Sequence, residues 1–84
     1  MSHTHHYLKT IEPFWSDVYH KKKCFELRKN DRHFEVGDYV HLQKWDDYTK
    51  VYGGCIHATI TYIVNDARFC KDGFVAFQIE VFDQ

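Results

Sequence analysis

The sequence predicts an α+β fold: a small, mostly antiparallel β-barrel of about five strands with one N-terminal helix. Three observations predict it. The chain has 84 residues, which suffices for a single domain with one core. Five stretches rich in β-branched and aromatic residues are separated by short turn-forming segments. A helical apolar stripe follows directly after the only proline. Five strands in so short a chain avoid exposed edges best by curling into a barrel, with the helix plugging one end.

The elements follow in order. Residues 1–5 are expected to form a disordered tail. "HYLKTI" (residues 6–11) has the composition of a short strand. "EPFWSDVYHK" reads as a helix: Pro13 suits a first turn, where its missing N–H costs nothing. Phe14 and Val18, four apart, with Trp15 and Tyr19 beside them, form a stripe assigned to the core. "CFELRK" (residues 24–29) alternates, with Phe25 and Leu27 on one face and Cys24, Glu26 and Arg28 on the other. "NDR" and "VGD" supply turns, and "YVHLQKW" (residues 39–45) alternates again. "DDYTKVYGG" reads as a hairpin connection ending at Gly53 and Gly54. "CIHATITYIV" (residues 55–64) is the longest strand, "NDARFCKDG" a loop closing at Gly73, and "FVAFQIEV" (residues 74–81) the last strand.

Composition narrows the function classes. A net charge of −1, from 11 basic and 12 acidic residues, argues against coating nucleic acid by bulk electrostatics, because non-specific affinity comes from neutralising many phosphates. The densest basic segment holds Lys21, Lys22, Lys23, Arg28, Lys29 and Arg32; it is either a solvated charge run or a local patch. Aromatic residues make up 18% of the chain, so some are available to line a pocket once a small core is filled. Cys24, Cys55 and Cys70 are odd in number and lack CxxC spacing. With no signal peptide, long apolar run or lipidation motif, they read as reduced thiols of a cytoplasmic protein away from membranes. No Cys/His pair has finger spacing, so neither a metal nor another cofactor is expected. His3, His5 and His6 are at most adventitious chelators, and His20, His33, His41 and His57 have no partner identifiable by spacing.

In "KKKCFELR", Lys23, Glu26 and Arg28 match the Lys, Glu and Arg of a Gly-x-Lys-x-x-Glu-x-Arg motif, and through it the chain resembles the ASCH domain of the PUA-like superfamily. "HYLK", "FELRKNDRHFEVGD" and "KWDDYTKVYGG" look closer still to one subgroup, short bacterial and phage proteins of uncharacterised function. The similarity runs in matching order over residues 6–81. Lys21 stands where the motif has glycine, which implies that the helix-to-strand turn needs no left-handed residue here. The resemblance implies a PUA-like barrel, a ligand cleft between helix and barrel bordered by the motif, and an association with RNA, modified nucleotides included.

Two readings of the motif stand side by side. Taken alone, Glu26 and Arg28 are an ion-paired strand face, worth about 0.2–1 kcal/mol per pair. The resemblance favours a ligand face instead. Arg28 then offers a planar fork for a phosphate, a carboxylate or a base carbonyl. Glu26 accepts from an exocyclic amine, Lys23 serves as base or oxyanion partner, and Lys9 is a candidate for the rim. Trp45, Tyr62 and Phe69, at strand ends or in loops, are the candidates for stacking on a base.

The function expected is a binding module that recognises a base, a nucleoside or single-stranded RNA. The alternative is a small amidohydrolase acting on N4-acylated cytidine nucleosides, as some ASCH-fold proteins are. Lys23 matches the lysine of those enzymes, Glu26 stands at their threonine position, and Glu80, on the same strand face as Gln78 and Ala76, is the downstream acid. Cys24 shares the Glu26 face, but no positioned base accompanies it, and it reads as an inert thiol. A third class, a regulatory protein that docks on another protein, lacks a large amphipathic helix to support it.

Overall fold

In the computed structural model, which describes residues 3–82, the elements are β1 (His5–Thr10), α1 (Phe14–Tyr19), β2 (Phe25–Lys29), β3 (Tyr39–Asp46), β4 (Val51–Val64) and β5 (Phe74–Val81). The strands form one curled sheet in the order β1-β3-β4-β5-β2. The β3–β4, β4–β5 and β2–β5 pairs are antiparallel. β1 runs parallel to β3, because α1 and β2 intervene and carry the chain back before β3 begins. The fold is therefore α+β as expected, but the sheet is mixed and half-closed: β1 and β2 remain its two edges.

The concave face holds the core. Alternate positions of the strands supply Leu8, Val40, Leu42, Ile56, Ala58, Ile60, Val75, Phe77 and Ile79. Val18 enters from α1 and Phe34 from the β2–β3 connection, where its ring meets those of His6 and Phe77. Trp15 seats α1 on β3. Its indole N–H donates to the Leu42 carbonyl at 2.9 Å, and its ring occupies space that a Cβ on Gly54 would enter, at 3.1 Å.

Several boundaries differ from the sequence reading. β4 starts at Val51, so most of the supposed hairpin connection is strand, paired with β3 beyond a bulge between Gln43 and Trp45. The turn that remains is closed by Asp46 Oδ1, which accepts from the N–H groups of Tyr48 and Thr49 at 2.9 and 3.0 Å. The tail expected over residues 1–5 meets a strand beginning at His5. Thr4 is also tied down: its carbonyl accepts from Tyr39 N–H at 2.9 Å, and its N–H donates to Asp38 at 3.3 Å. Residues 1–2 lie outside the described residues.

α1 stops at Tyr19, and Lys21 adopts φ = +62°. The substitution of lysine for the motif glycine therefore does not signal a turn without left-handed backbone; the turn needs that conformation and a lysine bears it. Among the described residues, no helix is long and apolar enough to cross a membrane.

Candidate ligand cleft

The left-handed Lys21 folds the chain back so that the Asp17 carbonyl at the end of α1 accepts from both Lys22 N–H (2.8 Å) and Lys23 N–H (3.1 Å). This delivers Lys23 to the start of β2. The register with β5 then sets Glu26 opposite Phe77 and Arg28 opposite Val75. Directly opposed residues share a face, and Phe77 and Val75 are core residues. Glu26 and Arg28 therefore point to the concave side, while Phe25 and Leu27 point out.

The parity read from the sequence holds, with the charged face turned inward and the apolar face toward solvent. Glu26 is 2% exposed and Leu27 67%. A carboxylate enters the interior only with partners, and Glu26 has them. Its Oε1 accepts from Arg28 Nε (3.0 Å) and Nη2 (2.7 Å), and its Oε2 accepts from Lys23 Nζ. Lys23 Nζ also donates to the Phe25 carbonyl at 2.6 Å. Arg28 continues across the open seam of the sheet: Nη1 donates to the Lys9 carbonyl and Nη2 to Thr10 Oγ1, each at 3.0 Å. One side chain thus links the edge strands β1 and β2, where no backbone ladder does.

A guanidinium has five N–H donors and an ammonium three. Among the described residues, these contacts leave one N–H of Arg28 and one of Lys23 to spare. Both residues line a cleft of about 430 Å³ together with Glu26, Thr10 and Lys9, and with the apolar Ile11, Phe14 and Leu27. Those three are far from buried, Ile11 and Phe14 each at 47%. The cleft therefore pairs a clamped, net positive polar patch with an accessible apolar wall.

The other candidates fall elsewhere. Lys9 lines the cleft and gives Arg28 its carbonyl, but its ammonium lies 4.1 Å from the centroid of the Trp45 ring. Trp45 belongs to a neighbouring groove of about 530 Å³ shared with Trp15, Lys44 and Tyr52. Tyr62 sits exposed on the outer face opposite Gln78, and Phe69 is an exposed loop residue beside the Arg68 guanidinium. Glu80 is exposed opposite Thr59, on the face of β5 away from Phe77, so the sheet separates it from Glu26. The structure brings together Lys23, Glu26 and Arg28, with Lys9 at the margin; it does not bring Trp45, Tyr62, Phe69 or Glu80 to them.

Four lining residues, Thr10, Ile11, Phe14 and Leu27, were missed by the sequence reading. Phe14 was assigned to the core stripe, but a helix of six residues buries little more than one turn's face, and Val18 and Trp15 fill it. Thr10 is buried at the end of β1, and only its place across the seam from Arg28 marks it.

Residues 5–79 match the family model described as "Domain of unknown function (DUF3850)", and the chain belongs to that family. The curated proteins contain no match to it.

Proposed function

We propose that this member of the DUF3850 family is a cytoplasmic RNA- or nucleotide-binding module with a PUA-like, ASCH-related fold. Its ligand is a nucleobase-bearing group held in the cleft over Lys23, Glu26 and Arg28. The observation that carries this reading is the pairing of two clamped cations, each with an N–H to spare, with an accessible aromatic wall at Phe14.

The clamp matters because Glu26 already holds both long side chains in place, so little further rotamer entropy is lost when a ligand arrives. Phosphate or carbonyl oxygens are the acceptors that fit these donors. A base stacked on Phe14 adds about 1–3 kcal/mol. The cleft also falls within the roughly 300–1,000 Å³ of small-molecule sites. Lys23, Arg28 and Glu26 sum to a single positive charge, which suits one nucleotide or a single-stranded end better than a long duplex.

Binding is favoured over hydrolysis of N4-acylated cytidine. Glu26 already accepts three hydrogen bonds, which leaves it poorly placed to take a proton from water, and Glu80 lies on the opposite face. Calorimetric titration with nucleoside monophosphates and short single-stranded RNAs tests the proposal. Lys23→Ala is expected to weaken binding by about tenfold or more, the worth of a hydrogen bond to a charged group. It should also lower the salt slope by about 0.7 for a single strand. An unchanged affinity and slope in Lys23→Ala would count against the cleft.

A further inference from the structure

The convex face of the sheet carries a second cluster, away from the cleft. The β3–β4 register sets His41 directly opposite His57 and Gln43 opposite Cys55. Cys55 and His57 are two apart on β4 and share the outer face with His41. One donor atom from each of His41, Cys55 and His57 lies within 4.8 Å of the other two. The two Nδ1 atoms of His41 and His57 face each other at 2.6 Å, an approach that needs a proton shared between them.

We propose that His41, Cys55 and His57 form a three-ligand site for a borderline or soft transition-metal ion of the Zn²⁺ type, with a fourth position open to solvent. Two imidazoles and a thiolate are the donor set such ions select, whereas Mg²⁺ and Ca²⁺ take oxygen. Bonds of about 2.0–2.3 Å in a tetrahedron place donors about 3.3–3.8 Å apart. The two nitrogens must therefore part slightly and the sulfur close in. Cys55 is exposed, so its side chain has room to turn.

His5 completes the arrangement from β1. Its Nδ1 is 2.8 Å from His41 Nε2; with Nδ1 given to the ion, a neutral His41 carries its proton on Nε2 and donates it to His5, as metal-bound histidines do to their outer partners. The Tyr7 ring stacks on His41 with centroids 4.5 Å apart and limits its rotation. The sequence expectation of no metal rested on spacing along the chain; here two strands supply the ligands, and register alone brings them together.

Titration of the reduced protein with Co²⁺, followed by absorption, tests the site. The expected result is one equivalent of Co²⁺ giving a sulfur-to-metal charge-transfer band and the strong visible bands of a four-coordinate ion, both abolished by added Zn²⁺. Cys55→Ser should remove the charge-transfer band, His57→Ala should weaken binding at least tenfold, and His3→Ala should change neither. Far-ultraviolet circular dichroism checks that the variants are folded, and the two substitutions report on the same site independently. The proposal is overturned if no charge-transfer band forms, if the band survives Cys55→Ser, or if His3→Ala abolishes it, which would mark chelation by the N-terminal histidines.

Discussion

Glu26→Ala is expected to destabilise the protein by about 3–5 kcal/mol, the usual cost of removing one partner from a buried ion pair. Glu26 is the acceptor for two cations that are themselves mostly buried, with Lys23 at 17% and Arg28 at 23% side-chain exposure. Without it their charges face each other and the low-dielectric concave side. The seam between β1 and β2 suffers as well, because Arg28 reaches Thr10 and the Lys9 carbonyl only while Glu26 orients its guanidinium. A domain of this length has roughly 4–13 kcal/mol in total, so the variant should stand near the edge of folding. Urea denaturation measures the loss, and a Glu26/Arg28 double-mutant cycle should give a coupling of about 0.5–3 kcal/mol. A loss below about 1 kcal/mol is the behaviour of a surface ion pair and would contradict a clamped cleft.

Asp38→Ala should cost a similar amount, about 3–5 kcal/mol, through a different structure. Asp38 is 2% exposed at the entry to β3. Its Oδ2 accepts from the buried His6 Nε2–H at 2.8 Å and from Glu35 N–H at 3.1 Å, and its Oδ1 accepts from Thr4 N–H at 3.3 Å. One carboxylate thus satisfies donors from the start of β1 and from the β2–β3 connection, and its removal orphans them together.

The pH dependence has a definite sign. Burial on its own would raise the Asp38 carboxyl, but the hydrogen bonds from His6, Glu35 and Thr4 outweigh it and hold the group below its ordinary value of 3.8. The unfolded chain therefore takes up this proton first as the pH falls. Asp38's contribution is fully present above about pH 5 and is lost as the pH drops through about 4 toward the folded value. The stability gap between the wild type and Asp38→Asn, measured by urea melts across that range, should narrow as the pH falls from about 5 through about 4. A gap that widens in acid would contradict the assignment.

Strand order along the chain was legible because alternation and turn residues are local signals. β2, β3 and β5 begin and end within a residue of where "CFELRK", "YVHLQKW" and "FVAFQIEV" place them. Direction relative to the core was not legible in β2. Alternation fixes which residues share a face, and apolar Phe25 and Leu27 would ordinarily claim the inside. The register with β5 gives that face to Glu26 and Arg28, and a charge finds its partners only in three dimensions.

Sheet closure was hidden for the same reason, since a side chain rather than a strand pair bridges β1 and β2. The stacking candidates were chosen by their position at strand ends, a criterion that identifies exposure but not which face or groove a ring joins. Phe14 escaped notice because helical spacing marked it for a core that a single short helix does not reach with every apolar residue.

The account turns on the cleft, and an NMR titration of isotope-labelled protein with nucleoside monophosphates, N4-acetylcytidine and short single-stranded RNAs tests it most directly. The account predicts saturable shifts at the amides of Ile11, Phe14, Lys23, Glu26 and Arg28, quiet amides at Tyr62, Phe69 and Glu80, and no ligand turnover. Shifts gathered on the outer face around Tyr62, product signals from N4-acetylcytidine, or no shifts with any of these ligands would contradict it.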